Sequence, residues 1–212
     1  MTLELIQGTP EWRAARAGSL GASQVQQALS RIKSGWGADR ANVMAQLVVE
    51  RLTGLPTDSF TNAAMQWGND KEPEARAAYS FIMDVDVAQV GLVLHPTIPG
   101  THASPDGLVG ERGLLEIKCP NSATHIETLS GGAVPGKYVT QMQWQMACTE
   151  REWCDFVSFD PRLPAEMQLF VRRVERDDAL IASLEADVRD FLAEVDAKIE
   201  ALKSAVQQKE AA

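Results

Sequence analysis

Ser104-Pro105-Asp106-Gly107-Leu108-Val109-Gly110-Glu111-Arg112-Gly113-Leu114-Leu115-Glu116-Ile117-Lys118 is the stretch whose reading decides the fold. Gly110-Glu111-Arg112-Gly113 is a turn signal between the apolar pairs Leu108-Val109 and Leu114-Leu115, so the segment predicts a β-hairpin. With the turn centred on Glu111-Arg112, Asp106 falls within one position of facing Glu116 across the ladder, and two carboxylates converge. Side chains alternate along a strand, which puts Glu116 and Lys118 on one face and Leu115 and Ile117 on the other, toward a core. An Asp and a Glu able to share a divalent metal, with a Lys two residues past the Glu, are the minimum equipment for metal-dependent phosphodiester cleavage. Each half is weak alone, because Pro-Asp-Gly is a common turn tripeptide and Glu-x-Lys on a strand is usually a solvated edge. Their combination across one hairpin carries the reading.

Composition bounds the class. The chain has 212 residues, 45% hydrophobic content and no long uncharged apolar run, which predicts one soluble globular domain over residues 1–212 with no membrane span or signal peptide. Cys119, Cys148 and Cys154 make an odd count without C-x-x-C spacing; this argues against a disulfide framework and a zinc or iron–sulfur site, and for reduced thiols in cytoplasm. A formal net charge of −9 argues against a protein that coats nucleic acid through a generally basic surface, so any DNA contact is local.

Outward from the hairpin, Thr9-Pro10-Glu11 predicts a capped short helix carrying Trp12, Arg13 and Arg16 and stopped at Gly18. A second helix is expected from about Gly21-Ala22-Ser23 to Leu29, where Ser23 and Arg16 could hold a phosphate at the helix start; Ser23 as a plain cap is the commoner meaning of such spacing. Residues 30–37, with Arg31, Lys33 and Trp36, read as a loop, and Asp39 as the cap of a third helix ending near Gly54. A fourth helical region, 62–83, contains Trp67-Gly68 and Glu72-Pro73; Pro73 predicts a kink or fresh start near Asp70, and Gly68 room for another element beside Glu72. Val85 to His95 reads as one strand and 96–100 as a turn. After the hairpin come a short helix over 122–129, a helix over 137–149 with Gln141 and Gln145 on one face, and strands over 152–159 and 167–174. A last helix over about 177–208 carries Leu184, Val188, Phe191, Val195, Ile199, Leu202 and Val206, expected to pack on its own sheet or another subunit, with residues 203–212 frayed.

Taken in order, Trp12-Arg13-Ala14-Ala15-Arg16-Ala17-Gly18, Ala22-Ser23, Trp67-Gly68 with Glu72, Ser104-Pro105-Asp106-Gly107, Leu115-Glu116-Ile117-Lys118-Cys119-Pro120 and Tyr138 with Gln141-Met142-Gln143 resemble the phage lambda exonuclease family, the YqaJ-like viral recombinases within the PD-(D/E)xK nuclease superfamily. The resemblance is collinear over about residues 5–175. It implies an α/β (α+β) fold, a central mixed β-sheet flanked by helices with a restriction-endonuclease-like core. It also implies 5′-to-3′ digestion of one strand of linear double-stranded DNA, leaving 3′ overhangs for recombination. Residue by residue, it implies metal ligation by Asp106, Glu116 and the Ile117 carbonyl, with Glu72 a further candidate ligand. Lys118 takes the place of the catalytic lysine and Gln141 that of the active-site glutamine. Arg16 and Ser23 match residues that bind the 5′-phosphate, Lys33 a basic residue of the early loop, and Met65 an apolar wedge at the terminal base pairs. Two Mg²⁺ per site, replaceable by Mn²⁺, a homotrimeric ring, a single-strand annealing partner and a phage or prophage origin in a bacterial cytoplasm complete what the family implies. Two other readings stand beside it: a PD-(D/E)xK endonuclease or resolvase, and a non-catalytic DNA-end-binding protein of the same fold.

Overall fold

The computed structural model describes residues 1–33, 35–57 and 62–210. In chain order the elements are β1 (Thr2–Leu3), α1 (Pro10–Arg16), β2 (Leu20–Gly21), α2 (Ala22–Ala28), β3 (Arg31–Ile32), β4 (Gly35–Trp36), α3 (Ala38–Thr53), α4 (Ala63–Met83), β5 (Val87–Ala88), β6 (Leu92–Leu94) and β7 (Thr101–Ala103). They continue with β8 (Gly107–Val109), β9 (Gly113–Lys118), α5 (Ser122–Gly131), α6 (Gly136–Thr149), β10 (Trp153–Phe159), a 3-10 turn (Ala165–Met167), β11 (Leu169–Glu175) and α7 (Asp178–Glu210).

The expected hairpin is the centre of a five-stranded sheet ordered β11-β10-β9-β8-β5, mixed because β10 runs parallel to β9 while the other pairs are antiparallel. Alternation along β9 sorts its two faces. Leu115 and Ile117 pack with Val157 and Phe159 of β10 against Ala75 and Tyr79 of α4. Leu114 packs with Cys154 and Phe156 against Met142 and Met146 of α6. Each such fully buried side chain contributes about 1.5–3 kcal/mol, so α4 and α6 are clamped to opposite faces of the strand that carries Glu116.

A four-stranded sheet, β1-β6-β7-β2, lies beside a helical layer in which Val25, Leu47, Trp144, Val188, Phe191 and Val195 share one core. The Trp144 indole N–H donates to Thr101 Oγ1 at 3.0 Å and ties α6 to β7. The chain passes from the second sheet to the first through residues 104–106, between β7 and β8.

Several expectations are corrected. Val85 to His95 is not one strand: β5 joins the five-stranded sheet and β6 the other, because the Gly91 backbone turns the chain against Leu5. Arg31–Ile32 and Gly35–Trp36 pair as the antiparallel strands β3 and β4 rather than lying in a bare loop, and the Arg31 and Arg40 guanidinium groups stack over the Trp36 ring at 4.3 and 3.7 Å; Ser34 lies outside the described residues. Gly37, not Asp39, caps α3, with Asp39 in its first turn. No new helix starts at Asp70; α4 runs unbroken through Pro73, since Ala75 and Tyr79, buried just beyond it, offset the lost hydrogen bond. Gly68 faces open space. Helix α7 packs chiefly on the helical layer of α2, α3 and α6, with Ile181 reaching the core that α6 shares with β9 and β10 of the five-stranded sheet, and it remains helical through Glu210; residues 211–212 lie outside the described ones. No described helix is long and apolar enough to cross a membrane.

Candidate active site

The β8–β9 register pairs Gly107 with Leu115 and Val109 with Gly113, so Asp106 comes to Glu116 one step beyond the last pair. Asp106 Oδ2 accepts the Ile117 N–H at 2.6 Å, which fixes the carboxylate over the end of β9. Gly107 is required by close approach: a Cβ there would stand 2.2 Å from Val87 Cγ1. The Pro-Asp-Gly tripeptide is thus the entry to a strand with no space for a side chain, as well as a turn signal.

Glu116 is 1% exposed and fully engaged. Its Oε1 accepts from Gln141 Nε2 at 2.7 Å and from the Lys118 ammonium, and its Oε2 accepts from Gln145 Nε2 at 2.6 Å. The glutamines are one turn apart on α6, which is why that helix can address both carboxylate oxygens. On the opposite side Glu72 pairs with Arg76, and Arg76 Nε donates to the Asp106 carbonyl at 3.1 Å.

Charge makes this a strained cluster. Burial, then the Glu116 and Glu72 charges, push Asp106 well above the usual carboxylate range, against the opposing pull of Lys118 and the Ile117 N–H. Burial also raises Glu72, with Arg76 pulling it down and Glu116 pushing it up. Burial alone would lower Lys118, but Glu116 and Asp106 outweigh it and raise its pKa, so in this arrangement it is an ammonium. Asp106 and Glu72, whose ionisation burial and neighbouring charge disfavour, suit a hard, oxygen-seeking cation, and among the described residues Gln145 Oε1 is a further oxygen buried without a partner. Among the described residues, however, no three His, Cys, Asp or Glu side chains form a metal cage. Asp106 and Glu116 are therefore the side-chain ligand candidates, and Glu72 belongs to the cluster through charge and Arg76.

The other candidates divide. Arg16 stacks on Trp12 at 3.9 Å and donates from Nε to His102 Nε2 at 2.9 Å. Burial lowers its pKa, with Glu50 opposing the shift. Ser23 is exposed in the first turn of α2, whose cap is Gly21, so the cap role considered for it is not the one it has. Lys33 is exposed in the β3–β4 turn. Met65 is 50% exposed in the first turn of α4, where its N–H donates to Asn62. One segment joins the Arg16 region to the carboxylates: Trp12 Nε1 donates to Ser104 Oγ at 3.3 Å and Gln7 Nε2 to the Pro105 carbonyl at 2.9 Å, immediately before Asp106.

A family model described as the YqaJ-like viral recombinase domain matches residues 11–152, a span that includes every residue of this cluster. The chain belongs to this family. LHK-Exo in complex with dAMP is 53% identical, with a TM-score of 0.89 over 94% of this chain and 99% of that one. The alkaline exonuclease LHK-Exo from Laribacter hongkongensis, in a further crystal structure, is 54% identical with a TM-score of 0.87 over the same shares. A phage-related exonuclease from Haemophilus somnus 129PT is 15% identical with a TM-score of 0.68 over 87% of this chain and 96% of that one, a likeness of fold. An uncharacterised protein of Acanthamoeba polyphaga mimivirus is 33% identical over 117 residues; this recombinase-family chain spans about a fifth of that curated relative, 21% of its length, through 49% of its own.

Sequence reasoning did not assign Arg76, Gln145 or His102 in this YqaJ-like site. Arg76 follows Glu72 by one turn, Gln145 follows Gln141 by one turn, and His102 precedes Ser104 and Asp106 at alternate positions of an extended segment. Those spacings were the available signal. A groove of about 440 Å³ lined by Tyr79, Met83, Trp153 and Arg173 includes none of the candidate residues.

Proposed function

We propose that this chain is a divalent-metal-dependent exonuclease that digests one strand of linear duplex DNA from its 5′ end, leaving 3′ single-stranded overhangs for recombination. The chain is a nuclease of the phage-type exonuclease class, as its 53% identity to LHK-Exo over nearly the whole of both chains requires. That relative was crystallised with dAMP, a mononucleotide of the kind that stepwise digestion releases. The observation that carries the reading is the buried Glu116, gripped by Lys118, Gln141 and Gln145 beside Asp106.

Two Mg²⁺ ions, or Mn²⁺ in their place, held by Asp106, Glu116 and the Ile117 carbonyl, would supply an activated water and charge stabilisation at the leaving 3′ oxygen. The protein's own groups do the rest. Gln141 and Gln145 hold the Glu116 carboxylate in one orientation. Lys118 places a positive charge and donor protons where the attacking water and the phosphate meet. Arg76 fixes Glu72 and the Asp106 backbone. Arg16 and Ser23 bind the 5′-phosphate, Lys33 contacts DNA from its hairpin, and Met65 wedges the terminal base pair. The chain works as one nuclease domain in a homotrimeric ring, with a single-strand annealing protein as partner.

Linear duplex labelled at either end, incubated with Mg²⁺ beside a covalently closed circle, tests this. Release of the 5′ label as mononucleotide with the circle intact is expected; cutting of the circle would replace the reading with an endonuclease. Lys118→Ala should abolish cleavage while the fold persists by circular dichroism, and near-normal digestion by that variant would remove Lys118 from the chemistry.

A further inference from the structure

We propose that His102 is a positioning residue that aims the Arg16 guanidinium at a terminal phosphate while leaving its positive charge uncancelled, an inference that rests on the end-binding reading of Arg16 given above. Arg16 donates from Nε to His102 Nε2 at 2.9 Å. A guanidinium has only donors, so Nε2 presents its lone pair and the ring proton sits on Nδ1, which donates to Ser19 Oγ at 2.8 Å. His102 is 1% exposed, and the ring is thereby fixed at both nitrogens. Trp12 supports the face of the guanidinium, and the Gly21 backbone walls one edge: a Cβ there would lie 3.2 Å from both Arg16 Nη2 and His102 Nε2.

The choice of a neutral acceptor is the point. A carboxylate at position 102 would take the guanidinium as a bidentate pair and cancel its charge. An imidazole occupies Nε alone, and among the described residues Nη1 and Nη2 donate to no other group, which leaves a two-pronged donor for phosphate oxygens. Glu50, the acid that Arg16 feels electrostatically, is satisfied by the Gly18 N–H, Gln46 and Thr57. His102, Ser104 and Asp106 alternate along one extended segment, and Ser104 holds the indole on which Arg16 rests. The residue that aims the phosphate clamp is therefore carried on the same short stretch as the carboxylate at the scissile bond.

The test compares initial digestion rates on linear duplexes that differ only in a 5′-phosphate or 5′-hydroxyl. In the wild type the ratio should be large, and in Arg16→Gln small. His102→Leu should lower the ratio by about tenfold or more, to the level of Arg16→Gln. His102→Gln, whose carbonyl can accept from Nε, should retain it, and His102→Glu, nearly the same size but charged, should lose it. A purely structural role would depress both rates together and leave the ratio intact, overturning the proposal. Should His102→Leu fail to fold, the Gln and Glu variants decide, and equal ratios in those two overturn it. A wild type with no preference for 5′-phosphate removes the end-binding reading and this inference together; preference lost in Arg16→Gln but kept in His102→Leu removes this inference alone.

Discussion

Glu116 shows how a few neighbours set the state of one side chain. Its two oxygens are divided between Lys118 with Gln141 and Gln145. Gln145→Leu leaves one oxygen of a buried carboxylate without a donor, an omission worth about 1–3 kcal/mol. The expected result is a kcat on phosphorylated linear duplex reduced by about tenfold to a hundredfold with KM little changed; a loss confined to KM would place Gln145 in DNA binding instead. His102 makes a prediction about acid stability. Burial and the nearby Arg16 charge depress its pKa to about 3, so between that value and the ordinary histidine value of about 6.5 the unfolded chain binds a proton that the folded chain does not. The folded state is then fully favoured above that upper value and loses stability as pH falls through the window. Thermal melts of wild type should decline more steeply than those of His102→Gln between about pH 7 and pH 4; parallel declines would mean that folding does not hold the ring neutral.

Among the elements, the turn between β10 and β11 supports the end of β9, the strand that carries Glu116 and Lys118, from outside it. Asp160 accepts from Arg162 Nε at 2.7 Å and from its backbone N–H at 3.1 Å, while Arg162 reaches the Pro120 carbonyl at 3.2 Å and stacks over Trp67 at 4.5 Å. Burial would raise Asp160, but the Arg162 side chain, the Ser122 side chain and the Arg162 N–H outweigh it and bring it down to about 2. A depressed acid stabilises the fold above its unfolded value near 4 and loses that contribution as pH falls toward 2. Asp160→Asn should therefore cost about 1–2 kcal/mol at neutral pH by urea denaturation, with the difference shrinking below about pH 4. The hairpin is the other sensitive element. Gly107→Ala forces Val87 or the strand to move, and should cost about 1–3 kcal/mol together with activity, because Asp106 precedes the displaced residue. Unchanged stability and digestion would show that β5 yields freely.

For the molecule as a whole, the question is which layers hold the two sheets together. Phe191 of α7 is fully buried in the core shared with α2, α3 and α6, so Phe191→Ala should lower global stability by about 3–5 kcal/mol, seen as a single shifted unfolding transition. Loss of α7 alone, with the remaining transition unmoved, would instead make that helix an appendage. The apolar repeat of α7 was readable, and Leu184, Val188, Phe191, Val195 and Ile199 are buried as a repeat of that kind requires. Leu202 and Val206 continue it but are exposed, and the surface that receives the helix is helical. Periodicity identifies the face that must be buried and is silent about what covers it.

The same division runs through the site. Turn residues and alternation, both local, determined from sequence the hairpin, the approach of Asp106 to Glu116 and the placement of Lys118 beside Glu116. The sharing of Glu116 between Gln141 and Gln145 was half visible, as a helix face with no stated object. Only the tertiary structure decided that Arg16 meets His102 across 86 residues, that Arg76 reaches the Asp106 carbonyl across 30, and that the helix read over 62–83 continues through Pro73 without a fresh start near Asp70. The physical reason is range: backbone periodicity and turn preference act over a few residues, whereas a hydrogen bond between distant segments exists only after packing has fixed both to within a fraction of an ångström.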